Sequence, residues 1–298
     1  MRPLGSDPVA ELLPRCSFPP AGTVVTCAVS GGADSTALLA LAVAAGCRAT
    51  AVHVDHGLRS GSAEEADVVR VTAERLGAAF LAVTVHVGHG PNLEARARDA
   101  RYAALPHDVL TGHTADDQAE TVLANLLRGA GSTGLAAMRP GNRRPLLGLR
   151  RSETRDLCDR LGLQVVHDPS NDLPDHLRNR VRHELLPLLA DLGRRDPVPV
   201  LVRQADLLRD ESDLLDRLSD DLDPTDAREL AAAHPALARR AVRRWLTDGH
   251  PPDAGTVERV LDVARGRAVA TDVGSGRRVE RSSQRLFLVP SAGTPESE

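Results

Sequence analysis

The chain of 298 residues contains no lysine and very few aromatic side chains. All 37 basic residues are therefore arginines, and a Walker-type phosphate loop, which needs a Gly-Lys-Ser/Thr sequence, is excluded. Aromatic residues make up 2 % of the chain, which argues against a platform that stacks several bases. The four cysteines form no Cys-x-x-Cys pair, so their spacing indicates no zinc or iron–sulfur site.

Long hydrophobic runs are also missing. No apolar run approaches the length that crosses a membrane, and the start of the chain lacks the basic and hydrophobic regions of a secretory signal. We therefore expect a cytoplasmic protein with no membrane partner. The net charge of −4 argues mildly against a protein that coats nucleic acid, although the distribution of the arginines matters more than the total.

The most informative segment is the sequence Ser-Gly-Gly-Ala-Asp-Ser at 30–35. It follows an apolar run at 24–29 and precedes an alanine- and leucine-rich stretch at 36–45. This order predicts a buried strand, a glycine turn and a helix. The turn amides and the helix N-terminus then point at one place, which suits a phosphate group.

The residues of this turn have separate expected roles. Gly31 and Gly32 allow the backbone to approach an anion without a Cβ in the way. Ser30 and Ser35 add hydroxyl donors. Asp34 fits a phosphate cradle only if a cation such as Mg²⁺ accompanies the phosphate. The alternative is an ordinary strand-to-helix turn that is rich in small residues.

Strand and helix patterns alternate through about the first half of the chain. After the first unit, the predicted strands are 49–55, 79–85 and 108–112, and the predicted helices are 62–77, 92–105 and 114–127. The segments 145–147 and 164–167 continue the strand pattern around a predicted helix at 152–161. The alternation predicts an α/β domain over 1–187, with a Rossmann-like, mostly parallel sheet and helices on both faces.

From about Pro187 the pattern changes to amphipathic helices without strands. The predicted helical stretches are 201–218, 231–246 and 256–264, and small β-hairpins are expected between 269 and 289. We therefore expect a smaller helical domain with a terminal β-hairpin over 188–290. A disordered tail is expected at 291–298.

Two further polar clusters follow predicted strands, at 53–59 and at 111–121. Ligands of a parallel sheet collect beyond the carboxyl ends of the strands, so these clusters and the 30–35 turn are candidates for one site. The residues His53, Asp55 and His56 are candidate metal ligands by type alone. A loop whose polar groups satisfy one another is an equally weighted alternative.

The cluster at 111–121 contains three acids. Asp116 and Glu120 are four residues apart and share one face of the predicted helix, and Asp117 is offset by one position. Acids in a first helical turn also stabilise the helix dipole, which accounts for Asp116 or Asp117 but less well for Glu120. We favour a functional role, in which these acids hold Mg²⁺ or a cationic substrate.

Several groups of arginines follow the acid cluster. They are Arg139, Arg143, Arg144, Arg150 and Arg151, then Arg178, Arg180 and Arg182, and finally Arg239, Arg240, Arg243 and Arg244. A charge run is usually a solvated face, which is the alternative for each group alone. Together, the groups predict an electrostatic footprint for RNA phosphates that spans both domains.

The motifs carry a family resemblance. The turn at 30–35 resembles the pyrophosphate loop of the N-type ATP pyrophosphatases, which split ATP between the α and β phosphates. Taken in order, the motifs resemble the tRNA(Ile)-lysidine synthetase family over roughly residues 22–187. The matching segments are SGGADS at 30–35, HVDHGLR at 53–59, NLEAR at 92–96 with RY at 101–102, TGHTADDQAET at 111–121, LLRGAG at 126–131, RPLL at 144–147, DPSN at 168–171 and RNRVR at 178–182.

The resemblance implies an adenine nucleotide alpha hydrolase-like fold and a two-step ligase reaction with ATP and Mg²⁺. ATP adenylates the C2 oxygen of the wobble cytidine in the isoleucine tRNA with a CAU anticodon, and pyrophosphate leaves. The amine of free L-lysine then attacks C2 and expels AMP, so that lysidine switches codon reading from AUG to AUA. The implied partners are that tRNA and free L-lysine, and a homodimer is left open.

The resemblance also implies roles for individual residues. The expected ATP-binding residues are Ser30, Gly31, Gly32, Ala33, Asp34, Ser35, His53 and Asp55, with Asp34 as the Mg²⁺ ligand. The expected catalytic residues are Asp34, His113, Asp116, Asp117 and Glu120. His113 is a proton acceptor or adenylate contact, and the acids at 116–120 form a second metal contact or grip the lysine ammonium. The expected tRNA or phosphate contacts are Arg128, Arg178, Asn179 and Arg182.

The sequence departs from the family pattern in two respects. Thr114 stands where many members have a second histidine, so no catalytic role is assigned to it. Longer members carry a further C-terminal domain beyond the point where this sequence stops, so fewer or different tRNA contacts are expected.

Three other functions remain open from the residues. A tRNA thiolation enzyme on the same scaffold generally uses paired cysteines, which this chain lacks. A small-molecule ATP-dependent ligase or amidotransferase would not explain the groups of arginines. A non-catalytic nucleotide-binding module would not explain Asp34 or the acids at 116–120.

Overall fold

The computed structural model describes residues 7–55, 62–85, 96, 100, 103–166 and 177–291. The chain forms two compact units, Met1–Asp206 and Leu207–Glu298. The functional domain limits drawn from the sequence, 1–187 and 188–290, stay a prediction. The helix expected at 92–105 and the tail expected at 291–298 lie mostly outside the described residues.

The first unit alternates strands and helices. Its strands are β1 Val24–Ala28, β2 Arg48–Asp55 and β3 Ala79–Thr84. Its helices, within the described ranges, are α1 Pro8–Leu12, α2 Ala33–Ala44, α3 Ser62–Leu76, α4 Ala115–Leu127, α5 Ser132–Leu135, α6 Arg151–Arg160, α7 Leu177–Arg180 and α8 Leu186–Gly193. A π-helical turn at Val181–Leu185 joins the last two. The expected strand–turn–helix order around 30–35 is confirmed.

The three strands form a parallel sheet in the order β1-β2-β3. A fourth position lies on the other side of β1, where Leu110 exchanges backbone hydrogen bonds with Thr26 at 2.8 Å and Ala28 at 2.9 Å. The strand expected at 108–112 is wrong in extent, because it forms only this bridge. The next amide, Thr111 N–H, donates to the carbonyl oxygen of Arg143 at 2.9 Å instead of continuing the ladder.

The bridge at Leu110 fixes where a ligand is expected. From β1, the chain adds β2 and β3 on one side and then returns to the opposite side at Leu110. Such a reversal is the topological switch point of an open parallel sheet, and ligands bind outside the carboxyl ends of the strands there. The turn at 30–35 leaves β1 at this end, and the segment 111–117 leaves the bridge at the same end.

Both faces of the sheet are covered by apolar side chains. Helix α2 is buried almost throughout, with Leu38, Leu39 and Leu41 fully inaccessible, and it packs with Ala51 of β2 on one face. Val52 of β2 packs on the opposite face in a cluster with Leu105 and Val109. The Rossmann-like class predicted from the sequence is confirmed.

Two expected strands of the first unit are wrong. Residues 145–147 form consecutive turns, in which Leu147 N–H donates to Arg144 and Leu149 N–H to Leu146. Residues 164–166 form no strand, and Val166 N–H instead donates to the carbonyl oxygen of Gly31 at 2.9 Å. Neither segment joins the sheet. Both support the residues at the carboxyl ends of its strands.

The start of the first unit is fixed to helix α6. Arg15 donates from Nη1 to Glu153 Oε1 at 2.6 Å and from Nη2 to Glu153 Oε2 at 2.9 Å. Its Nη2 also donates to the carbonyl oxygen of Gly148 at 2.6 Å. Glu153 Oε2 accepts in addition the N–H of Arg150, which caps α6.

The second unit is helical with a small sheet. Its helices are α9 Val198–Ser219, which begins in the first unit, α10 Ala227–Ala232, α11 Pro235–Leu246 and α12 Ala254–Ala264. Its strands β4 Ala270–Gly274, β5 Arg277–Ser282 and β6 Arg285–Pro290 form an antiparallel sheet in that order. Helical packing and terminal hairpins were expected and are confirmed.

One expected helix of this unit is divided. The stretch 231–246 breaks before Pro235, which lacks a backbone N–H and therefore begins a new helix, α11. His234 Nδ1 caps that helix by accepting the N–H of Ala236 at 3.2 Å. No helix among the described residues is both long enough and apolar enough to span a bilayer.

Candidate active site

The turn after β1 forms a tight cradle in front of α2. Gly31 has φ of +90°, a left-handed conformation that favours glycine, and a Cβ there would lie 2.9 Å from Cγ2 of Val166. The N–H of Ser30 donates to the Ser35 hydroxyl at 3.2 Å, and that hydroxyl donates to the Gly32 carbonyl oxygen at 2.9 Å. The turn is therefore closed on itself, with Ser30 exposed and Gly31 buried.

Helix α2 starts directly at this turn. Gly32 is its extended N-cap, and Ala33, Asp34 and Ser35 form the first turn. The first N–H groups of a helix have no partner within the helix, and the positive end of the helix dipole lies there. Six of the eight residues expected to bind ATP therefore surround one helix N-terminus, which is a place where proteins commonly bind anions.

Asp34 projects from this first turn towards α6. Its carboxylate accepts a hydrogen bond from the Thr154 hydroxyl and lies 3.5 Å from Nε of Arg151. Burial raises the pKa of Asp34 above its usual range, the Thr154 hydrogen bond opposes that rise, and the charge of Asp117 adds to it. A carboxylate in this environment is stabilised by a cation bound beside it.

The acids of α4 begin at the switch point. Asp117 caps the helix, because its Oδ2 accepts from the Thr114 N–H at 2.8 Å and from the Thr114 hydroxyl at 2.9 Å. Its Oδ1 faces the arginines described next, so capping uses only one of its two oxygens. Glu120 is 1 % exposed, which makes it the most deeply buried acid of this site.

Arg151 brings three of the acids together. Its Nη2 lies 2.9 Å from Asp117 Oδ1, its Nη1 lies 3.0 Å from Glu120 Oε1, and its Nε lies 3.5 Å from Asp34 Oδ2. We call Asp34, Asp117 and Glu120 the carboxylate cluster. Burial works to raise the pKa of Asp117, but Arg151 and the hydrogen bonds from Thr114 hold it below its usual range.

Arg150 holds the remaining acid of α4. It donates to Asp116 from Nε at 3.0 Å and from Nη2 at 3.1 Å, and its Nη1 also pairs with Asp196. Burial works to raise the pKa of Asp116, yet these bonds and the Arg151 N–H lower it overall. The sequence placed Arg150 and Arg151 in a basic stretch for RNA, and the structure directs both side chains to acids.

Arg182 approaches the carboxylate cluster from the π-helical turn. It donates to Glu120 Oε1 from Nε at 2.7 Å and to Oε2 from Nη2 at 3.1 Å. Single π-helical turns occur frequently at functional sites, because they redirect side chains out of the α-helical spacing. The sequence predicted Arg182 as a tRNA or phosphate contact, and the structure places it on Glu120.

His113 precedes these acids and lies beside the Thr111 hydroxyl. The hydroxyl oxygen lies 2.8 Å from His113 Nδ1 and 3.1 Å from the Arg143 carbonyl oxygen. When the hydroxyl donates to the carbonyl oxygen, His113 Nδ1–H donates to the hydroxyl. In that tautomer Nε2 of the neutral ring carries the lone pair that a proton acceptor requires.

His53 and Asp55 lie at the carboxyl end of β2. His53 is 3 % exposed, and its Nδ1 lies 3.0 Å from the carbonyl oxygen of Val29 at the end of β1. Asp55 ends β2, and its carbonyl oxygen accepts the N–H of Val85. Residues 56–59 of the expected motif lie outside the described residues, and the described part of the chain contains no group of three or more His, Cys, Asp or Glu residues arranged to hold a metal.

The other expected tRNA contacts lie along or beside α4. Arg178 Nη2 donates to the Thr121 hydroxyl at 3.3 Å, one residue beyond Glu120. Asn179 is buried in the same short helix, α7. Arg128 caps the far end of α4 and is exposed. Within the described residues, no carboxylate pairs with Arg128 or Arg178.

The basic patch expected on α11 is largely neutralised inside the second unit. Arg239 pairs with Glu258, Arg240 pairs with Asp216 at 2.6 Å, and Arg244 pairs with Asp220 at 3.0 Å. Arg243 is exposed and meets no carboxylate of the described chain. The partners lie in α9, directly after it and in α12, so sequence proximity alone exaggerated the charge of this patch.

The cysteines are buried or half-buried thiols. Burial raises the pKa of Cys16, Cys27 and Cys158 to about 12 in each case. A raised pKa suppresses the thiolate, which is the reactive form of cysteine. The thiol of Cys158 donates to the Ala33 carbonyl oxygen at 3.4 Å and so packs behind the turn at 30–35.

Comparison with known proteins agrees with this geometry. A family model described as a PP-loop domain matches residues 12–189. A tRNA(Ile)-lysidine synthase of Nocardia farcinica is 46% identical over 247 residues, which cover 78% of this chain and 78% of that protein. The tRNA(Ile)-lysidine synthase of Thermobifida fusca is 42% identical over 273 residues, which cover 83% of this chain and 84% of that protein.

A solved structure supports the fold. The U34-tRNA thiolase NcsA from Methanococcus maripaludis superposes with a TM-score of 0.52 at 18% sequence identity, over 67% of this chain and 78% of that one. At this identity the likeness concerns the fold alone, so it does not favour thiolation. The family expected from the motifs is confirmed, and the thiolation alternative is the weaker one. The chain belongs to the tRNA(Ile)-lysidine synthase family and carries the ATP-binding PP-loop domain of that family.

Proposed function

We propose that this chain ligates free L-lysine to C2 of the wobble cytidine in the isoleucine tRNA with a CAU anticodon. It is an ATP-dependent ligase. Its reaction forms an adenylated tRNA as an intermediate and releases pyrophosphate and AMP. The proposal is carried by one observation. Asp34, in the turn at 30–35 that we call the nucleotide turn, meets the acids of α4 at the switch point of the sheet. Arg151 joins them, at 3.5 Å from Asp34, 2.9 Å from Asp117 and 3.0 Å from Glu120.

The nucleotide turn binds the phosphates of ATP. The first N–H groups of α2 and the hydroxyl of Ser30 face the anion, and Gly31 lets the turn form against Val166, where no side chain fits. These donors are fixed before the reaction, so they stabilise charge that develops on the departing pyrophosphate without reorganising. His53 and Asp55 border the turn at the end of β2.

Asp34 holds Mg²⁺ in this proposal. The donor set fits, since Mg²⁺ is usually bound by one or two carboxylates together with substrate phosphates. The raised pKa of Asp34 indicates a carboxylate whose charge is poorly compensated by the protein alone. When bound, the metal neutralises charge on the phosphates that leave.

The first step converts the C2 oxygen of cytosine into part of a good leaving group. The C2 carbonyl oxygen attacks the α-phosphorus of ATP, the bond from that phosphorus to the bridging oxygen breaks, and pyrophosphate leaves. The oxygen then belongs to AMP, which is a good leaving group. To reach the turn, the wobble base is splayed out of the anticodon loop, as is usual when single-stranded RNA is recognised.

The second step forms the carbon–nitrogen bond. The neutral amine of lysine attacks C2, AMP leaves with the former carbonyl oxygen, and the nitrogen loses a proton. His113 accepts that proton at Nε2, in the tautomer whose Nδ1–H donates to the Thr111 hydroxyl. The acids at 116–120 favour a cationic substrate beside the nucleotide.

Arg128, Arg178 and Asn179 are proposed to contact the tRNA. Arg178 contacts only a neutral hydroxyl among the described residues and so retains its charge for a phosphate. Arg182 acts indirectly by holding Glu120. The homodimer and the cytoplasmic location expected from the sequence stay predictions.

The decisive experiment is mass analysis of nucleosides from the tRNA after incubation with ATP and isotope-labelled lysine. We expect labelled lysidine from the CAU transcript and none from a transcript whose wobble base is uridine. Pyrophosphate release that neither lysine nor tRNA stimulates would overturn the proposal. Incorporation of sulfur instead of lysine would favour the thiolation alternative.

A further inference from the structure

Arg151 contacts the carboxylate cluster through all three of its guanidinium nitrogens. Each nitrogen faces a different acid, with Asp117 at 2.9 Å, Glu120 at 3.0 Å and Asp34 at 3.5 Å. The guanidinium is a planar fork whose N–H groups diverge, so the acids lie around it rather than converge on one point. The longest of the three contacts is the one with Asp34.

The main chain of Arg151 is held at the same place. Its N–H donates to Asp116 Oδ2 at 2.8 Å, and its carbonyl oxygen lies 2.8 Å from the oxygen of the Thr154 hydroxyl that donates to Asp34. Burial opposes the charge of Arg151, but Asp117, Glu120 and Asp34 together raise its pKa well above the usual range. The residue is therefore a permanently charged, doubly anchored part of the site.

Both oxygens of Glu120 accept from arginines. Its Oε1 accepts from Arg151 and from Arg182 at 2.7 Å, and its Oε2 accepts from Arg182 at 3.1 Å. Three carboxylates and two guanidiniums leave the cluster with about one uncompensated negative charge. The 3.5 Å contact places the weakest compensation at Asp34.

A divalent metal demands a different arrangement from the one that Arg151 imposes. Mg²⁺ needs oxygen ligands at about 2.0–2.1 Å in near-octahedral geometry, with the oxygens converging on the ion. Among the residues described, no three of the site's acids converge in this way. From the sequence, two roles were open for Asp117 and Glu120, a second metal contact or a grip on the lysine ammonium. The geometry around Arg151 favours the second role.

We propose that Arg151 is a positioning residue that reserves Asp117 and Glu120 for N–H donors and leaves Asp34 as the one member of the carboxylate cluster that binds a divalent metal. The site then binds one such metal and not two, and the acids of α4 act towards amines. The inference rests on the proposed function, since it assigns roles within the same site.

The test counts bound Mn²⁺ by electron paramagnetic resonance, with the full chain and Mn²⁺ alone. We expect the wild-type chain to bind at most one Mn²⁺. Arg151→Gln removes the resident cation, so we expect one additional Mn²⁺ per chain. Arg155→Gln is the matched control, because Arg155 lies one turn further along α6, is exposed and has no partner among the described residues.

The conservative variant Arg151→Lys separates positioning from folding. A lysine restores the positive charge, so the count is expected to return to the wild-type value even if the melting temperature does not. A folded Arg151→Gln chain that binds no additional Mn²⁺ overturns the inference. If that variant does not fold, the wild-type count decides, and two Mn²⁺ per wild-type chain also overturns it. The count needs neither tRNA nor lysine, so failure to form lysidine would count against the proposed function alone.

Discussion

A Cβ atom on Gly112 would lie 2.7 Å from the carbonyl oxygen of Asp34. It would also lie 2.8 Å from the carbonyl carbon of Asp34 and 3.0 Å from the backbone nitrogen of Ser35. The segment that leaves the bridge at Leu110 therefore passes against the first turn of α2 with no room for any side chain. This approach sets the distance between the nucleotide turn and the acids of α4.

Gly112→Ala is expected to separate these two parts of the site. The clash is with backbone, which cannot rotate away, so we expect a loss of about 1–3 kcal/mol in unfolding free energy. ATP affinity should fall with it, as measured by calorimetric titration. Gly131→Ala is the matched control, because a Cβ at Gly131 meets no atom within 4 Å. Equal ATP affinity in the two variants would contradict the role of Gly112.

Asp34→Asn is expected to stabilise the protein while it abolishes lysidine formation. The folded-state pKa of Asp34 is raised, so its contribution to stability is full below the usual pKa and is lost as pH rises through the folded value. The variant should therefore melt higher than the wild type at pH 7, with the difference vanishing at acidic pH. Thermal melts between pH 3 and pH 8 measure this, and a lower melting temperature at pH 7 would refute it.

Asp116→Asn is expected to destabilise the protein at pH 7, in contrast to Asp34→Asn. The folded-state pKa of Asp116 is lowered by its bonds to Arg150 and to the Arg151 N–H, so its stabilisation is present above the usual pKa and is lost as pH falls. We expect the substitution to cost about 2 kcal/mol at pH 7, from bonds to a charged group. Chemical unfolding at pH 7 and at pH 3 measures it. The cost should shrink at the lower pH, and a constant cost would contradict the assignment.

Thr111→Val is expected to reduce kcat with little effect on the KM for ATP. It removes the hydroxyl that lies 2.8 Å from His113 Nδ1, so the ring loses the hydrogen bond that fixes its orientation and its tautomer. General base catalysis contributes about 10²–10⁴-fold, and we expect loss of roughly tenfold or more from the misplaced base. Thr111→Ser keeps the hydroxyl and serves as the control. Similar kcat values for the two variants would remove His113 from the proton transfer.

Arg178→Ala is expected to weaken tRNA binding and its salt dependence. One lost phosphate contact should reduce the slope of log affinity against log salt concentration by about 0.7. Arg244→Ala is the comparison, since Arg244 is paired with Asp220 and bonded to the Ser219 carbonyl oxygen. Its slope should match that of the wild type. If both variants change the slope equally, ion pairing in the structure does not decide which arginines meet RNA.

Local patterns were sufficient for the parts of the site that follow strands. The apolar run before Ser30 and the glycines after it required a strand, a turn and a helix N-terminus. The same logic located the acids after the bridge at Leu110, although the bridge is shorter than the strand expected there. Both predictions depend on neighbours in sequence and on the rule that parallel strands present their carboxyl ends together.

The role of Arg151 depended on distant contacts and was missed. In the sequence it is one of several arginines beside a proline–leucine segment, and nothing local distinguishes it from Arg155. Its direction is set by the turns at 145–149 and by the Asp116 bond to its backbone. The available signal was a surplus of acids after Gly112 with no nearby basic partner, which calls for counter-charges from elsewhere.

The contact between Arg15 and Glu153 has a consequence for the whole first unit. Glu153 also accepts the N–H of Arg150, so the salt bridge at the start of the chain supports the turn from which Arg150 and Arg151 emerge. Arg15 belongs to none of the motifs, yet through Glu153 it supports the arginines that contact the acids. Loss of this one side chain would therefore weaken the geometry of the acids on the opposite side of α6.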